Sequence, residues 1–426
     1  MDFVEELAWR GMVHSQTPGI QERLAKSPVT GYAGFDPTAS SLQIGNLAAI
    51  MLLMHLQRSG HKPIALVGGA TALIGDPSGK SEERNLMTRG QVEHNQNRFQ
   101  EQLKNFLDFD CGTLSAEVVN NCDWFKDIGF IEFLRETGKH LTVNYMMAKD
   151  SVQQRLETGI SFTEFSYQLL QAHDFCHLNT TKDCILQLGG SDQWGNITSG
   201  TELIRRKTGR EAFALTCPLV TRVDGTKFGK TASGEAIWLD PEQTSPYKFY
   251  QFWLNSGDKE ASRYIRVFTL MDKEEIAGLE HEHVLAPHER ILQKALAKNI
   301  TIRVHSNEAY EKAVAASEIL FGKATTDTLR KLDERSFLDV FTGVPQVSAS
   351  RDTMSRGVDI VELLTDISGF CSSRGEARRL IRSGGISINK EKVADENATI
   401  SVDHLLNDKY VLLQKGKKSY CIVESR

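Results

Sequence analysis

Residues 31–47 read GYAGFDPTASSLQIGNL. Extended residues Pro28, Val29 and Thr30 lead in, and an apolar run follows. Leu47, Ile50, Met51, Leu53, Met54 and Leu56 recur at helical spacing, which predicts a buried helix from Asn46 to Ser59 with Gly60 as its stop. Asp36-Pro37-Thr38 reads as a turn because proline fixes φ. Ser40 and Ser41 are residue types that cap helices. Gly31 and Gly34 carry no Cβ and let the backbone run close to something bulky. A second apolar strand, Pro63 to Val67, leads to Gly68-Gly69. Strand, glycine-rich turn, helix and strand make a βαβ unit. Its first turn aims free N–H groups and the positive helix end at an anion, most often a phosphate. Such a turn also serves packing alone, so its meaning depends on the rest of the chain.

A second stretch, residues 223–231, reads VDGTKFGKT. Lys227 and Lys230 flank Phe228-Gly229 in a loop that can fold over a triphosphate and lay two ammonium groups on it. Between the two stretches, Thr163 to Phe175 reads as a helix. Tyr167, Gln171 and Asp174 fall at i, i+4 and i+7 and share a face. A polar stripe of this kind is either solvated or lines a pocket, and apolar flanks on both sides favour the pocket. Ile185 to Leu188 is a buried strand, and Gly189 to Gln193 the loop after it, where a ligand at the carboxyl end of a parallel sheet would sit.

Further helices are predicted over Val4–Gly11, Thr88–Leu107, Ile131–Thr137, Val143–Arg155 and Gly195–Lys207, with a turn at Asn120–Trp124 and a strand over Leu215–Thr221. Residues 245–321 read as all-helical. The pattern breaks down between Gly322 and Arg356, which reads as a linker with short helices. In the tail, Arg374, Arg378 and Arg382 recur at i, i+4 and i+8 over an inward face of Ala377, Leu380 and Ile381. A hairpin with a basic turn, Gln414-Lys415-Gly416-Lys417-Lys418, closes the chain. Arginine stripes are often merely solvated, but two basic clusters together suit phosphate contacts.

With 426 residues and 40% apolar content, two or three domains with real cores are expected. A net charge of −5 argues against nucleic-acid binding over the whole surface, though not against a local basic patch. The start, MDFVEELAWRG, lacks the basic segment of a signal peptide, and no apolar run approaches the roughly 20 residues a membrane helix needs. The seven cysteines are scattered and never spaced C-x-x-C, so they read as reduced buried thiols of a cytoplasmic protein, with no zinc site.

The two glycine-bearing stretches together resemble the HIGH and KMSKS signatures of class I aminoacyl-tRNA synthetases, with Gln43-Ile44-Gly45-Asn46 in the first place and Lys227 to Thr231 in the second. Longer blocks narrow the likeness: ALVGGATALIGDPSGKSEER at 65–84, NYMMAKDSVQQRLETGISFTEFSYQLLQAHDF at 144–175, LQLGGSDQWGNITSG at 186–200 and TSPYKFYQFWLN at 244–255. All resemble bacterial-type tyrosyl-tRNA synthetases, from about Phe3 to the last residues. The tail resembles an S-four-like RNA-binding domain.

The resemblance implies a Rossmann-like parallel-sheet catalytic domain over 1–221. It further implies a signature loop and helical domain over 222–321, a linker over 322–356, and a small α+β S-four-like domain over 357–426. The implied reaction joins tyrosine to ATP, giving tyrosyl-adenylate and pyrophosphate, then passes tyrosyl to the terminal ribose of tRNA. Tyr32 and Asp174 would bond the tyrosine hydroxyl; Asp76, Tyr167 and Gln171 would hold its ammonium. Gly34, Asp36, Gly45, Asn46, Gly190, Asp192 and Gln193, with Lys230, would hold ATP or the adenylate. Thr38, Gln43, Lys80, Arg84, Lys227, Lys230 and Thr231 would surround the pyrophosphate. Arg374, Arg378, Arg382, Lys415, Lys417 and Lys418 would meet tRNA. Magnesium would enter with ATP, with no permanently bound metal, and the protein would be a homodimer without membrane contact. Two departures stand out: Ala33 where the family often has Cys, and Gln43 where the first histidine is expected. Gln43 alone supports an alternative, a catalytically silent RNA-binding paralogue. A sister enzyme using tryptophan is disfavoured by the Tyr32–Asp174 pair and by the tail.

Overall fold

The structure is a computed structural model. It describes the chain apart from residues 1, 79–86, 156–158, 224, 226–227, 230–233, 321–325, 343 and 417–418, and the side chains at 319, 320 and 328. The chain divides into two compact units, Met1–Thr244 with Phe252–Val304, and Ser245–Gln251 with His305–Arg426.

Among the described residues the first unit is built on six strands: β1 (Ser15–Gln16), β2 (Thr30–Phe35), β3 (Lys62–Val67), β4 (Glu117–Asn120), β5 (Cys184–Gly190) and β6 (Phe213–Cys217). Their spatial order is β1-β6-β5-β2-β3-β4. Every neighbouring pair is parallel except β1 with β6. Successive strands β2, β3 and β4 step one way, then the chain crosses back to place β5 on the other side of β2. That reversal is a topological switch point, where ligands sit beyond the carboxyl ends of the strands.

The expected helix forms as α1 (Leu47–Arg58), buried from Leu47 to Leu56. It is preceded by a short 3-10 turn, Ile44–Asn46. Ser40 and Ser41 do not cap it. Ser41 is drawn into the core instead, where its Oγ donates to the Leu42 carbonyl and accepts from the Asp240 N–H. Gly31 is a packing glycine. A Cβ there would lie 2.9 Å from Leu56 Cδ2, so the close neighbour is the unit's own helix.

The helix carrying the polar stripe, α2 (Phe162–Lys182), runs a further two turns past Phe175, with Thr180 and Thr181 bonded back to the Cys176 and His177 carbonyls. It packs on α3 (Trp194–Thr208) so closely that a Cβ on Gly200 would stand 2.8 Å from Phe175. Two expectations are corrected here. The last parallel strand ends at Cys217 because Pro218 has no N–H for the ladder. Asn120–Trp124 is the end of β4 plus the short helix Cys122–Phe125, not a free turn. Helices follow at Asp258–Phe268, Lys273–Leu285 and Ile291–Val304.

In the second unit, β7 (Gln346–Ala349), β8 (Val358–Asp359), β9 (Ile386–Ile388), β10 (Glu391–Lys392), β11 (Thr399–Ile400), β12 (Tyr410–Lys415) and β13 (Ser419–Ser425) form a five-stranded sheet, β10-β9-β12-β13-β7, and a two-stranded one. Helix α4 (Arg374–Arg382) buries Ala377 and Ile381 against this core. The stretch read as a linker is built into the unit. β7 pairs with β13, and Phe337 and Phe341 are fully buried against Tyr410 and Tyr420. Their i, i+4 apolar pair was obscured by the charged residues around it. All seven cysteines are free; five are buried, but Cys122 is only partly so and Cys111 is exposed. Among the described residues no helix is long and apolar enough to cross a membrane.

Candidate functional site

A cavity of about 480 Å³ opens beyond the carboxyl ends of β2 and β5, at the switch point. β2 and its following turn supply Tyr32, Gly34, Asp36 and Thr38; the 3-10 turn supplies Gly45 and Asn46; α2 supplies Tyr167, Gln171 and Asp174. Gly190, Asp192 and Gln193 come from the end of β5, and Asp76 from the loop after β3. Residues far apart in the sequence, grouped by the family resemblance, therefore line one cavity.

Asp174 is buried, and each of its oxygens accepts one hydrogen bond. Trp124 Nε1 donates to Oδ1 at 2.9 Å and Asn121 Nδ2 donates to Oδ2 at 3.1 Å. Burial nevertheless pushes its carboxyl from 3.8 up to about 8, against these donors and with help from the Asp36 charge. The Tyr32 hydroxyl is buried with no partner among the described residues. Burial, then the Asp174 charge, raises its pKa well above the usual phenol value.

Asp36 is the second anchor. Thr71 Oγ1 donates to its Oδ1 at 2.7 Å and the Tyr167 hydroxyl donates to its Oδ2 at 2.6 Å. Asn121 Nδ2 also donates to Thr71 Oγ1, at 3.0 Å, which ties the Asp36 and Asp174 groups together. Gly68 is required here, since a Cβ would collide with Asp36 and Thr71.

Asp76 is the third. Gln193 Nε2 donates to its Oδ2 at 2.7 Å, and the Ser78 N–H donates to its Oδ1 at 2.9 Å. Burial, with the Asp76 charge adding, raises the pKa of Asp192. Four carboxyl groups, hydroxyls and amides in one cavity suit a ligand that brings an ammonium and several hydroxyls.

Gln43 does not line the cavity. Its side chain is exposed, while its main-chain N–H is held by Asn46 Oδ1 at 2.8 Å. Gly229, a described residue of the second signature stretch, lies beside the first. The Ile237 N–H donates to the Gly229 carbonyl at 3.0 Å, the Ile44 N–H to the Ile237 carbonyl at 3.0 Å, and a Cβ on Gly229 would stand 2.9 Å from Ile44. Phe228 packs against Phe252, Tyr264 and Phe268. Lys80, Arg84, Lys227, Lys230 and Thr231 lie outside the described residues, as do Lys417 and Lys418.

On the second unit, Arg374 pairs with Asp366 at 2.6 Å and Arg382 with Glu396 at 2.8 Å. Lys415 donates to the Phe370 carbonyl at 3.0 Å and lies 3.6 Å from Glu376. Arg378 and Arg379 are exposed, make no ion pair among the described residues, and line one depression with Gly375, Arg382 and Ser383. Sequence reasoning missed Arg379, and also Thr71, Asn121 and Trp124. The one signal for the last two was a tryptophan inside a polar turn.

Comparison with known proteins gives consistent matches. The family of class I tRNA synthetases (W and Y) matches residues 24–322, and the tyrosine–tRNA ligase SYY-like C-terminal domain matches residues 336–423. A tyrosine–tRNA ligase of Cytophaga hutchinsonii is 60% identical over 424 residues, 99% of both chains. One of Bacteroides fragilis is 59% identical over 428 residues, again 99% of both. Among solved structures, a C-terminally truncated mitochondrial tyrosyl-tRNA synthetase of Aspergillus nidulans superposes with a TM-score of 0.68 at 29% identity, covering 75% of this chain and 94% of that one.

Proposed function

The chain belongs to the class I tyrosyl-tRNA synthetase family and is a tyrosine–tRNA ligase, and we propose that the cavity at the β2–β5 switch point is where it activates tyrosine. ATP is a substrate; that magnesium arrives with it is part of the proposal. Among the described residues no cluster of three His, Cys, Asp or Glu could hold a metal.

Attack of the tyrosine carboxylate on the α-phosphate needs no protein nucleophile. It needs alignment, and stabilisation of charge on the departing pyrophosphate. Tyr32 and Asp174 bracket the phenol; Asp76, Tyr167 and Gln171 take the ammonium; Asp192, Gly190 and Gln193 meet the adenylate, with Asp36, Gly34, Gly45 and Asn46 beside it. Thr38, Gln43, Lys80, Arg84, Lys227, Lys230 and Thr231 attend the pyrophosphate. The observation that carries this reading is the buried Tyr32 hydroxyl, without a partner among the described residues, in a cavity with Asp174, since a phenol can bond to both.

Transfer to tRNA then calls on the second unit, with Arg374, Arg378, Arg382 and the hairpin lysines as phosphate contacts within an RNA-binding part over 357–426. A homodimer is supported by Phe130, Ile131, Val143 and Phe162, each more than 60% exposed on the first unit. Work in the cytoplasm belongs to the same proposal. The test is ATP–pyrophosphate exchange with Asp174→Ala. Tyrosine-over-phenylalanine preference should fall while the KM for ATP holds. An unchanged preference sinks the assignment.

A further inference from the structure

Asp174 is supported from outside the cavity. Its Oδ1 accepts from Trp124 Nε1, and the direction of that N–H follows the plane of the indole. The plane is fixed by His177, whose ring stacks on Trp124 with centroids 4.4 Å apart and an interplanar angle of 17°. His177 lies three residues beyond Asp174 on α2, so the acceptor and the ring that orients its donor share one helical turn. Behind His177, the His173 ring follows at 6.5 Å and 28°. His173 is tied down by Thr137 Oγ1 at 2.9 Å and by the rings of Phe125 and Phe133. Trp124, His177 and His173 do not line the cavity.

We propose that His177 is a positioning residue for phenol recognition: its ring holds the Trp124 indole so that the N–H stays on Asp174 and fixes where the carboxyl group presents its free lone pairs. This rests on the reading of Asp174 as the group that meets the substrate hydroxyl. Without the stacked ring the indole can turn, and among the described residues Asn121 is the donor that Asp174 keeps. An aromatic pair of this geometry is worth roughly a factor of two to ten in an equilibrium. The effect should therefore appear in tyrosine affinity and not in the chemical step.

The test is ATP–pyrophosphate exchange on the full chain with His177→Ala, His177→Leu, His177→Phe and Asp174→Ala. His177→Ala should raise the KM for tyrosine by about two- to tenfold and lower the preference over phenylalanine, with kcat and the KM for ATP unchanged. His177→Leu fills the space without a planar ring and should behave like His177→Ala, which keeps the test valid if the alanine variant folds poorly. His177→Phe should restore the tyrosine KM, because a flat ring can stack again. The proposal is overturned if His177→Leu keeps the parental tyrosine KM, if His177→Phe is as impaired as His177→Leu, or if kcat and both KM values worsen together. Asp174→Ala separates the two levels. If it leaves the preference intact, the reading of the pocket fails; if it abolishes the preference while His177→Leu does nothing, only the role of His177 fails.

Discussion

Burial pushes the Asp174 carboxyl up to about 8 although two side chains donate to it. The sign of the consequence follows from linkage. An acid whose folded-state pKa lies above its ordinary 3.8 binds a proton more tightly in the folded chain, so stability is lost as pH rises between 3.8 and about 8. Asp174→Asn removes that titration. The thermal midpoint of Asp174→Asn should rise relative to that of the parent from pH 5 to pH 8, read by calorimetry without substrate; a constant difference would show that Asp174 is ionised throughout. Gln43 makes a different prediction. Its amide can donate to a triphosphate but cannot become cationic. Gln43→Ala should slow adenylate formation, within about tenfold, and leave tyrosine affinity unchanged; pre-steady-state rates for Ala, Gln and His at 43 decide it. Residue types alone brought Tyr167, Gln171 and Asp174 together, because helical spacing is periodic. Asn121 and Trp124 reach Asp174 from about fifty positions away, and no periodicity records that approach.

At the scale of elements, the pocket depends on how tightly α2 meets its neighbours. Phe175 backs the Tyr32 ring, with centroids 5.3 Å apart, and α3 presses on Phe175 at Gly200. A methyl at 200 would stand 2.8 Å from Cδ1 and 3.0 Å from Cβ of Phe175, so the helix must move. Overpacking of this kind costs about 1–3 kcal/mol. Gly200→Ala should lose that much in urea unfolding and raise the KM for tyrosine, since Tyr32 and Asp174 move with Phe175. Loss of stability with an unchanged tyrosine KM would show that the helix yields elsewhere. α4 makes its own prediction. Arg374 and Arg382 already have carboxylate partners, whereas Arg378 and Arg379 do not pair among the described residues. Replacing Arg378 and Arg379 with Gln should therefore weaken tRNA binding and flatten its salt dependence more than replacing Arg374 and Arg382. Filter binding across a salt series distinguishes the pairs. The arginine stripe was legible from its spacing; which of its members are neutralised was not, because Asp366 and Glu396 lie on other elements.

For the whole molecule, the question is where the proposed RNA-binding part begins. Composition suggested a linker over 322–356, because Thr, Asp, Gly, Pro and charges mask the few apolar residues there. Folding shows what those residues are for. Phe337 stacks on Tyr410 at 5.4 Å, Phe341 meets Tyr420 at 5.6 Å, Tyr410 donates to Glu334 at 2.6 Å, and β7 extends the sheet beside β13. Cutting the chain at 357 removes β12 and β13 and strips these partners away, leaving Phe337 and Phe341 uncovered. Such an apolar patch invites association. Removing everything from Thr326 onward takes the patch as well. Both truncations retain every residue that lines the cavity at the switch point. The expected outcome is that the chain ending at 325 forms tyrosyl-adenylate at close to the parental rate and charges tRNA poorly, while the chain ending at 357 aggregates. Light scattering and pyrophosphate exchange on the two proteins check this. If the chain ending at 357 is the better behaved, residues 326–356 do not need the sheet they pack against. If the chain ending at 325 charges tRNA as well as the full chain, the second unit has another task.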